Sequence, residues 1–145
     1  VDVGGLADRV AAYFRSRVPT LAHTILITAD RDEEGTTIQA DPVLIEWALE
    51  SLVKNAIDAL AGRGGRIGIA VRSMPEGGVR LRVADDGPGI PRELRARVFE
   101  PGFSTKDAGW GIGLSLAKRI VEENHGGRLS LLPTDQGAAF EIILP

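Results

Sequence analysis

The sequence predicts an α+β domain, a two-layer α/β sandwich in which one mixed, largely antiparallel sheet is covered on one face by helices. Three observations carry this. Apolar residues recur at spacings of three and four in three separate segments, alternating segments come in pairs around turn residues, and the two kinds of segment interleave along the chain. At 145 residues the chain is about one domain long, and a domain of that size buries roughly 70% of the surface its unfolded chain exposes.

Leu6, Val10, Ala11, Phe14 and Val18 form the stripe of a first amphipathic helix ending near Pro19. His23 to Ala29 and Thr36 to Ala40 read as a β-hairpin across the polar turn Arg31 to Gly35. Asp41-Pro42 starts a second helix. Asp serves as N-cap and Pro takes the first helical position, where its missing N–H costs nothing. This helix runs to about Ala61 and stops at Gly62 to Gly65. Arg66 to Arg72 and Val79 to Ala84 make a second hairpin around Pro75-Glu76-Gly77-Gly78. Gly87 to Gly113 holds six of the 18 glycines and reads as a long mobile loop. A helix over Ile112 to Glu123 ends at Gly126-Gly127, and Leu129 to Leu132 with Ala138 to Leu144 form a last strand pair.

Composition excludes several classes of function. Without Cys there is neither a disulfide framework nor a thiolate zinc site, and two His cannot make a metal cluster alone. The net charge of −3 arises from interspersed signs, and no basic stripe with aromatic residues marks a nucleic-acid surface. No apolar run reaches the roughly 20 residues of a membrane helix, and the N-terminus lacks the pattern of a signal peptide. A cytoplasmic location without membrane contact is the expectation for this segment. The start without Met suggests a fragment of a longer parent, one that could itself be anchored in a membrane.

Three segments carry chemistry. On the second helix Ile45, Leu49, Leu52, Ala56, Ala59 and Leu60 define the core face, and Ser51, Asn55 and Asp58 border it as a polar strip. Glu50 points roughly 140° away from Asn55. Asp85-Asp86-Gly87-Pro88-Gly89 leaves a strand into a turn whose glycines permit close approach of a ligand to the backbone. Gly109-Trp110-Gly111-Ile112-Gly113-Leu114 runs glycine-rich backbone into a helix start, where free N–H groups favour phosphate. Each segment alone has a bland reading: a solvated flank, a tight turn, a loop. Neither G-x-G-x-x-G nor G-x-x-x-x-G-K-[ST] is present, since Leu116 stands where the last glycine of the former would be.

In this order the three segments resemble the ATP-binding catalytic domain of sensor histidine kinases, within the superfamily shared with DNA gyrase B, the heat-shock chaperone ATPases and the mismatch-repair ATPases. The resemblance covers nearly the whole chain. It rests on an N box, Glu50-Ser51-Leu52-Val53-Lys54-Asn55-Ala56, and on a first glycine box, Asp85 to Gly89. A phenylalanine box, Phe99-Glu100-Pro101-Gly102-Phe103-Ser104-Thr105-Lys106, and a second glycine box, Gly109 to Gly113, complete it.

The resemblance implies a Bergerat-type fold that binds ATP with Mg²⁺ and transfers the γ-phosphoryl group to a histidine on a separate dimerisation domain, with a response regulator downstream. Asp85 would accept the adenine amino group beside Gly87 and Gly89. Asn55 would be the Mg²⁺ ligand, and Asn55 and Lys54 the catalytic residues. Gly109, Gly111, Gly113 and Leu114 would meet the phosphates, and Lys106, with Ser104 and Thr105, would reach them from the lid. That lid resembles Pro91 to Trp110 within the 87–113 loop, anchored by Phe99 and Phe103. Residues 1–18 would join the domain to the missing hairpin that bears the phosphoacceptor.

Two departures stand out. Ser51 occupies the first Asn position of the N box, where the related ATPases carry a Glu base, and Ser without a base of its own is a poor one near neutral pH. The alternative, an ATPase or ATP-gated conformational module, is disfavoured for that reason. Gly137-Ala138-Ala139-Phe140 replaces a Gly-Thr pair. His125 reads as structural or capping, His23 as exposed, and neither as a phosphoacceptor.

Overall fold

The computed structural model describes residues 1–16, 25–61, 63–100, 113–134 and 136–145. Helix α1 (Val3–Arg15) buries Leu6, Val10 and Ala11 of the predicted stripe and half-buries Phe14; it ends at Arg15, and Val18 and Pro19 lie outside the described residues. Its last residue, Arg15, donates from Nε to the carbonyl of Ile27 at 2.7 Å, tying the helix to strand β1 (Ile25–Arg31). Helix α2 (Pro42–Leu60) begins as expected: Oδ1 of Asp41 accepts from the N–H groups of Val43 and Leu44 at 3.0 and 3.2 Å. Ile45, Leu49, Leu52, Ala56 and Leu60 on its inner face are buried, each of the large ones stabilising the fold by about 1.5–3 kcal/mol.

Strands β2 (Gly65–Ser73), β3 (Val79–Asp85), β4 (Arg128–Leu132) and β5 (Ala138–Leu144) complete a five-stranded sheet in the order β1-β2-β3-β5-β4. Only β1 and β2 are parallel. The inner face is apolar: Ile67, Ile69 and Val71 on β2, Val79, Leu81 and Val83 on β3, and Phe140, Ile142 and Leu144 on β5. Both later hairpins, β2–β3 and β4–β5, match the sequence reading.

The first hairpin does not form. β1 runs parallel to β2 with Ile27 opposite Ile67, and α2 lies on the long connection that a parallel pair requires. Thr36 to Ala40 pairs instead with the chain start. The Thr36 carbonyl accepts from the Val3 N–H, Ile38 N–H donates to the Val1 carbonyl, and the Val1 amine donates back to Ile38, all within 3.0 Å. The turn chemistry of residues 31–35 suits a hairpin. The competing bonds to residues 1–3 seat Thr36 and Ile38 in the protein, at 3% and 9% exposure.

Two further differences concern the loop and helix that follow β3. The segment read as a continuous loop contains a 3-10 turn, Arg92–Arg97, followed by the buried Val98. Helix α3 (Gly113–Arg119) widens into a π-turn over Ile120–Asn124 rather than continuing as α-helix to Glu123. No helix among the described residues is long and apolar enough to cross a membrane.

Candidate functional site

Asp85 is the last residue of β3 and continues its buried face, after Val79, Leu81 and Val83. Strand alternation therefore turns a carboxylate inward, where it is 9% exposed. Its Oδ1 accepts from the Gly87 N–H at 2.9 Å. Burial is the largest influence on its acidity and pushes the pKa above the ordinary carboxylate value. The N–H groups of Gly87 and Ala138 oppose this, the Asp86 charge adds to it, and the Arg63 guanidinium counters that charge.

The turn after Asp85 is built by backbone approach. Gly89 sits at φ +79°, and a Cβ there would stand 2.9 Å from the Gly137 carbonyl oxygen. Gly137, at φ +71°, presses on the Asp85 carbonyl, and any Cβ would overlap that oxygen. Two glycines 48 positions apart in the chain thus abut without side chains. The sequence reading took Gly137 only as part of a departure from a familiar pair. Its signal lay in the Asp135-Gln136-Gly137 turn, but nothing in the sequence shows that this turn lands on Asp85.

The same turn reaches α2. A Cβ on Gly87 would lie 3.3 Å from the Leu60 side chain and 3.6 Å from that of Ala59. Asn55 is four residues before Ala59 on the same side of the helix, about 6 Å along the axis, and is half-buried. The turn after Asp85 thus packs on the end of α2, one turn past Asn55. Ser51, a turn earlier, donates its hydroxyl back to the Trp47 carbonyl at 3.0 Å, which occupies its proton within the helix. Lys54 is exposed. Burial first and the Glu46 charge second raise the pKa of Glu50.

Gly113 opens α3, and a Cβ there meets no described atom within 4 Å. Leu114 is half-buried against the core. Lys106, Gly109 and Gly111, with Phe103, Ser104, Thr105, Trp110 and His23, lie outside the described residues. Phe99, the first aromatic of the segment, packs edge-on against Phe140 with ring centroids 5.8 Å apart, and Lys118 Nζ sits 4.6 Å over its ring. A groove of about 530 Å³ lined by Phe99, Leu116, Lys118 and Glu122 runs along the outer side of α3. It does not contain Asp85 or Asn55, and the two glycine contacts locate the site better than this groove does.

His125 has the structural role expected of it. Its Nε2 accepts from the Asp41 N–H at 3.0 Å while Nδ1 faces the Ile120 carbonyl at 2.8 Å, so the neutral ring carrying its proton on Nδ1 satisfies both. The ring joins the α2 N-terminus to the π-turn.

The fold defines the class: a two-layer α+β domain with a five-stranded mixed sheet packed against helices. The family described as histidine kinase-, DNA gyrase B-, and HSP90-like ATPase matches residues 40–145, and the chain belongs to that family. It is 42% identical over 109 residues to the sensor histidine kinase ZraS of Klebsiella oxytoca, covering 74% of this chain and 23% of ZraS. The catalytic domain of histidine kinase ThkA superposes with a TM-score of 0.87 at 33% identity, covering 100% of this chain and 93% of that one. ThkA in complex with the response regulator TrrA gives 0.83 at 31%, covering 100% and 40%. The chain spans less than a quarter of the length of ZraS, 23%.

Proposed function

We propose that this domain binds ATP with Mg²⁺ and presents the γ-phosphoryl group to a histidine on a separate dimerising domain, in a pathway that continues to a response regulator. The observation that supports the reading is the packing of Gly87 on Leu60 and Ala59, which brings the turn after the buried Asp85 against α2, one turn past Asn55. The ionised Asp85 carboxylate accepts the adenine amino group, and the side-chain-free turn at Gly87 and Gly89 admits the flat base. Asn55 and the exposed Lys54 face the phosphates. Gly113 and Leu114, with Gly109, Gly111 and Lys106 by family resemblance, supply backbone and cationic contacts from the other side.

Among the described residues no group of three His, Asp or Glu converges to hold a metal. Asn55 is the residue whose amide oxygen would hold a Mg²⁺ ion, a hard cation that takes oxygen ligands and is commonly shared with phosphate and water, and the ion would supply charge neutralisation for the phosphates. Transfer then needs only alignment: a neutral imidazole nitrogen attacks the γ-phosphorus as the bond to the β,γ-bridging oxygen breaks, ADP leaves with that electron pair, and the ring sheds its surplus proton to solvent. Ser51 offers no base for water, so hydrolysis is slow.

Calorimetry with ADP and ATP is the first test. Asp85→Asn weakens both nucleotides, and Asn55→Ala has a larger defect with Mg²⁺ than with EDTA. Radiolabelled ATP then gives an acid-labile phosphohistidine on the parent's helical hairpin only when both pieces are present. Brisk hydrolysis by the domain alone, on the order of 1 s⁻¹, replaces this reading with an ATPase.

A further inference from the structure

The residue after Asp85 also carries a carboxylate, and its partners lie on the opposite side of the turn. The β2–β3 ladder formally ends at the pair Ile67 and Asp85. One step further, Asp86 and Arg66 still exchange two bonds, but of unequal kind. The Asp86 N–H donates to the Arg66 carbonyl at 3.3 Å, while the Arg66 N–H donates to Oδ1 of the Asp86 side chain at 2.8 Å. The loop between α2 and β2 closes on the same residue. Arg63 donates from Nη1 to the Asp86 carbonyl at 2.9 Å, and Gly65, at φ +146°, leaves Cα so near Asp86 that a Cβ would collide with its Oδ1.

We propose that Asp86 is a positioning residue for nucleotide recognition: its carboxylate, clasped to the Arg66 N–H under Gly65, fixes the height of the Asp85 turn against the α2–β2 loop. The inference rests on the reading of Asp85 as the adenine acceptor and extends it to a residue that touches no ligand. A carboxylate bond to a backbone N–H is charge-assisted and short, so the clasp stiffens a turn whose glycines would otherwise leave it loose. It also has an electrostatic cost to Asp85. The two carboxylates are adjacent, and of the charged groups facing Asp85 it is Asp86 that disfavours ionisation and Arg63 that favours it. An amide at position 86 keeps the bond through its oxygen and removes that charge.

Asp86→Ala and Asp86→Asn separate the two contributions. In the nucleotide-free protein the readouts are hydrogen exchange at the Arg66 and Gly87 amides and the carboxyl titration of Asp85 followed by carbon NMR. Asp86→Ala should speed exchange at both amides and weaken ADP about tenfold, the scale of one charged hydrogen bond. Asp86→Asn should keep exchange slow and ADP affinity within about twofold of wild type at neutral pH, and should move the Asp85 titration to lower pH. Unchanged exchange in Asp86→Ala, or an Asp86→Asn protein as loose as the alanine variant, overturns the clasp whether or not ADP binds. Wild-type failure to bind ADP, with the exchange pattern as described, overturns the adenine assignment and leaves the clasp standing. Should Asp86→Ala not fold, the exchange and titration of Asp86→Asn still decide.

Discussion

Gly137→Ala tests the construction of the site at its tightest point. Gly137 adopts φ +71°, where an ordinary residue costs about 1–3 kcal/mol. Its new Cβ would overlap the Asp85 carbonyl oxygen, which cannot retreat freely because Asp85 is paired with Ala138 in the β3–β5 ladder. Relieving the overlap loosens that pairing, at about 1 kcal/mol for a hydrogen bond. The sum is about 2–4 kcal/mol. For a chain of this length, about 3 °C of Tm accompanies each kcal/mol, so a fall of about 6–12 °C follows. Because the displaced atom belongs to Asp85, ADP affinity should fall further than in an equally destabilised variant far from the turn. Thermal unfolding and calorimetry on the same preparation measure both. A Tm within about 1 °C of wild type, with ADP binding unaltered, would refute the claim that the two glycine turns are in contact.

Asp85 gives a pH dependence of known sign. Its pKa is raised in the fold above the ordinary value of 3.8, so between the two the folded state binds more protons and stability rises as pH falls. Measured as the difference between wild type and Asp85→Asn, unfolding free energy of the nucleotide-free protein should therefore favour wild type increasingly as pH drops through that window. ADP affinity should fall over the same window, because the adenine amino group needs the ionised acceptor. A flat difference curve sinks the burial argument. His125→Phe removes the bonds to Asp41 and Ile120, and urea unfolding should show a loss of about 1–3 kcal/mol with ADP affinity little changed; a comparable loss of nucleotide affinity instead assigns His125 to the site.

The helices and later hairpins were legible because their signals are local. The Asp41-Pro42 start, the stripe from Ile45 to Leu60 and the alternation of β3 depend only on neighbours along the chain. The false hairpin of residues 23–40 failed for the opposite reason: its turn chemistry is sound, but the pairing of Thr36 and Ile38 with residues 1–3 is decided by a segment more than thirty residues away. The three motifs were legible in the sequence, with Gly109 to Ile112 of the last lying outside the described residues, while the contacts that hold the Asp85 turn were not. Gly137 against Asp85, Asp86 against Arg66 and His125 against Asp41 join positions 52, 20 and 84 residues apart, and no periodicity announces such contacts.

These long-range contacts share one physical problem. On the proposed reading, a carboxylate that is charged when it accepts from adenine is placed where burial favours its neutral form. Solvating it with water would lower that cost and would also fill the space the base must enter. The fold instead supplies two backbone N–H groups, from Gly87 and Ala138, and keeps side chains away by placing glycine at 87, 89 and 137. Glycine makes the turn entropically costly to order, and the Asp86 clasp and the β5 pairing are what hold it still. Nucleotide binding on this reading adds a third donor to Asp85 and so offsets the remaining penalty. The ligand is then a stabilising element of the domain, by mass action.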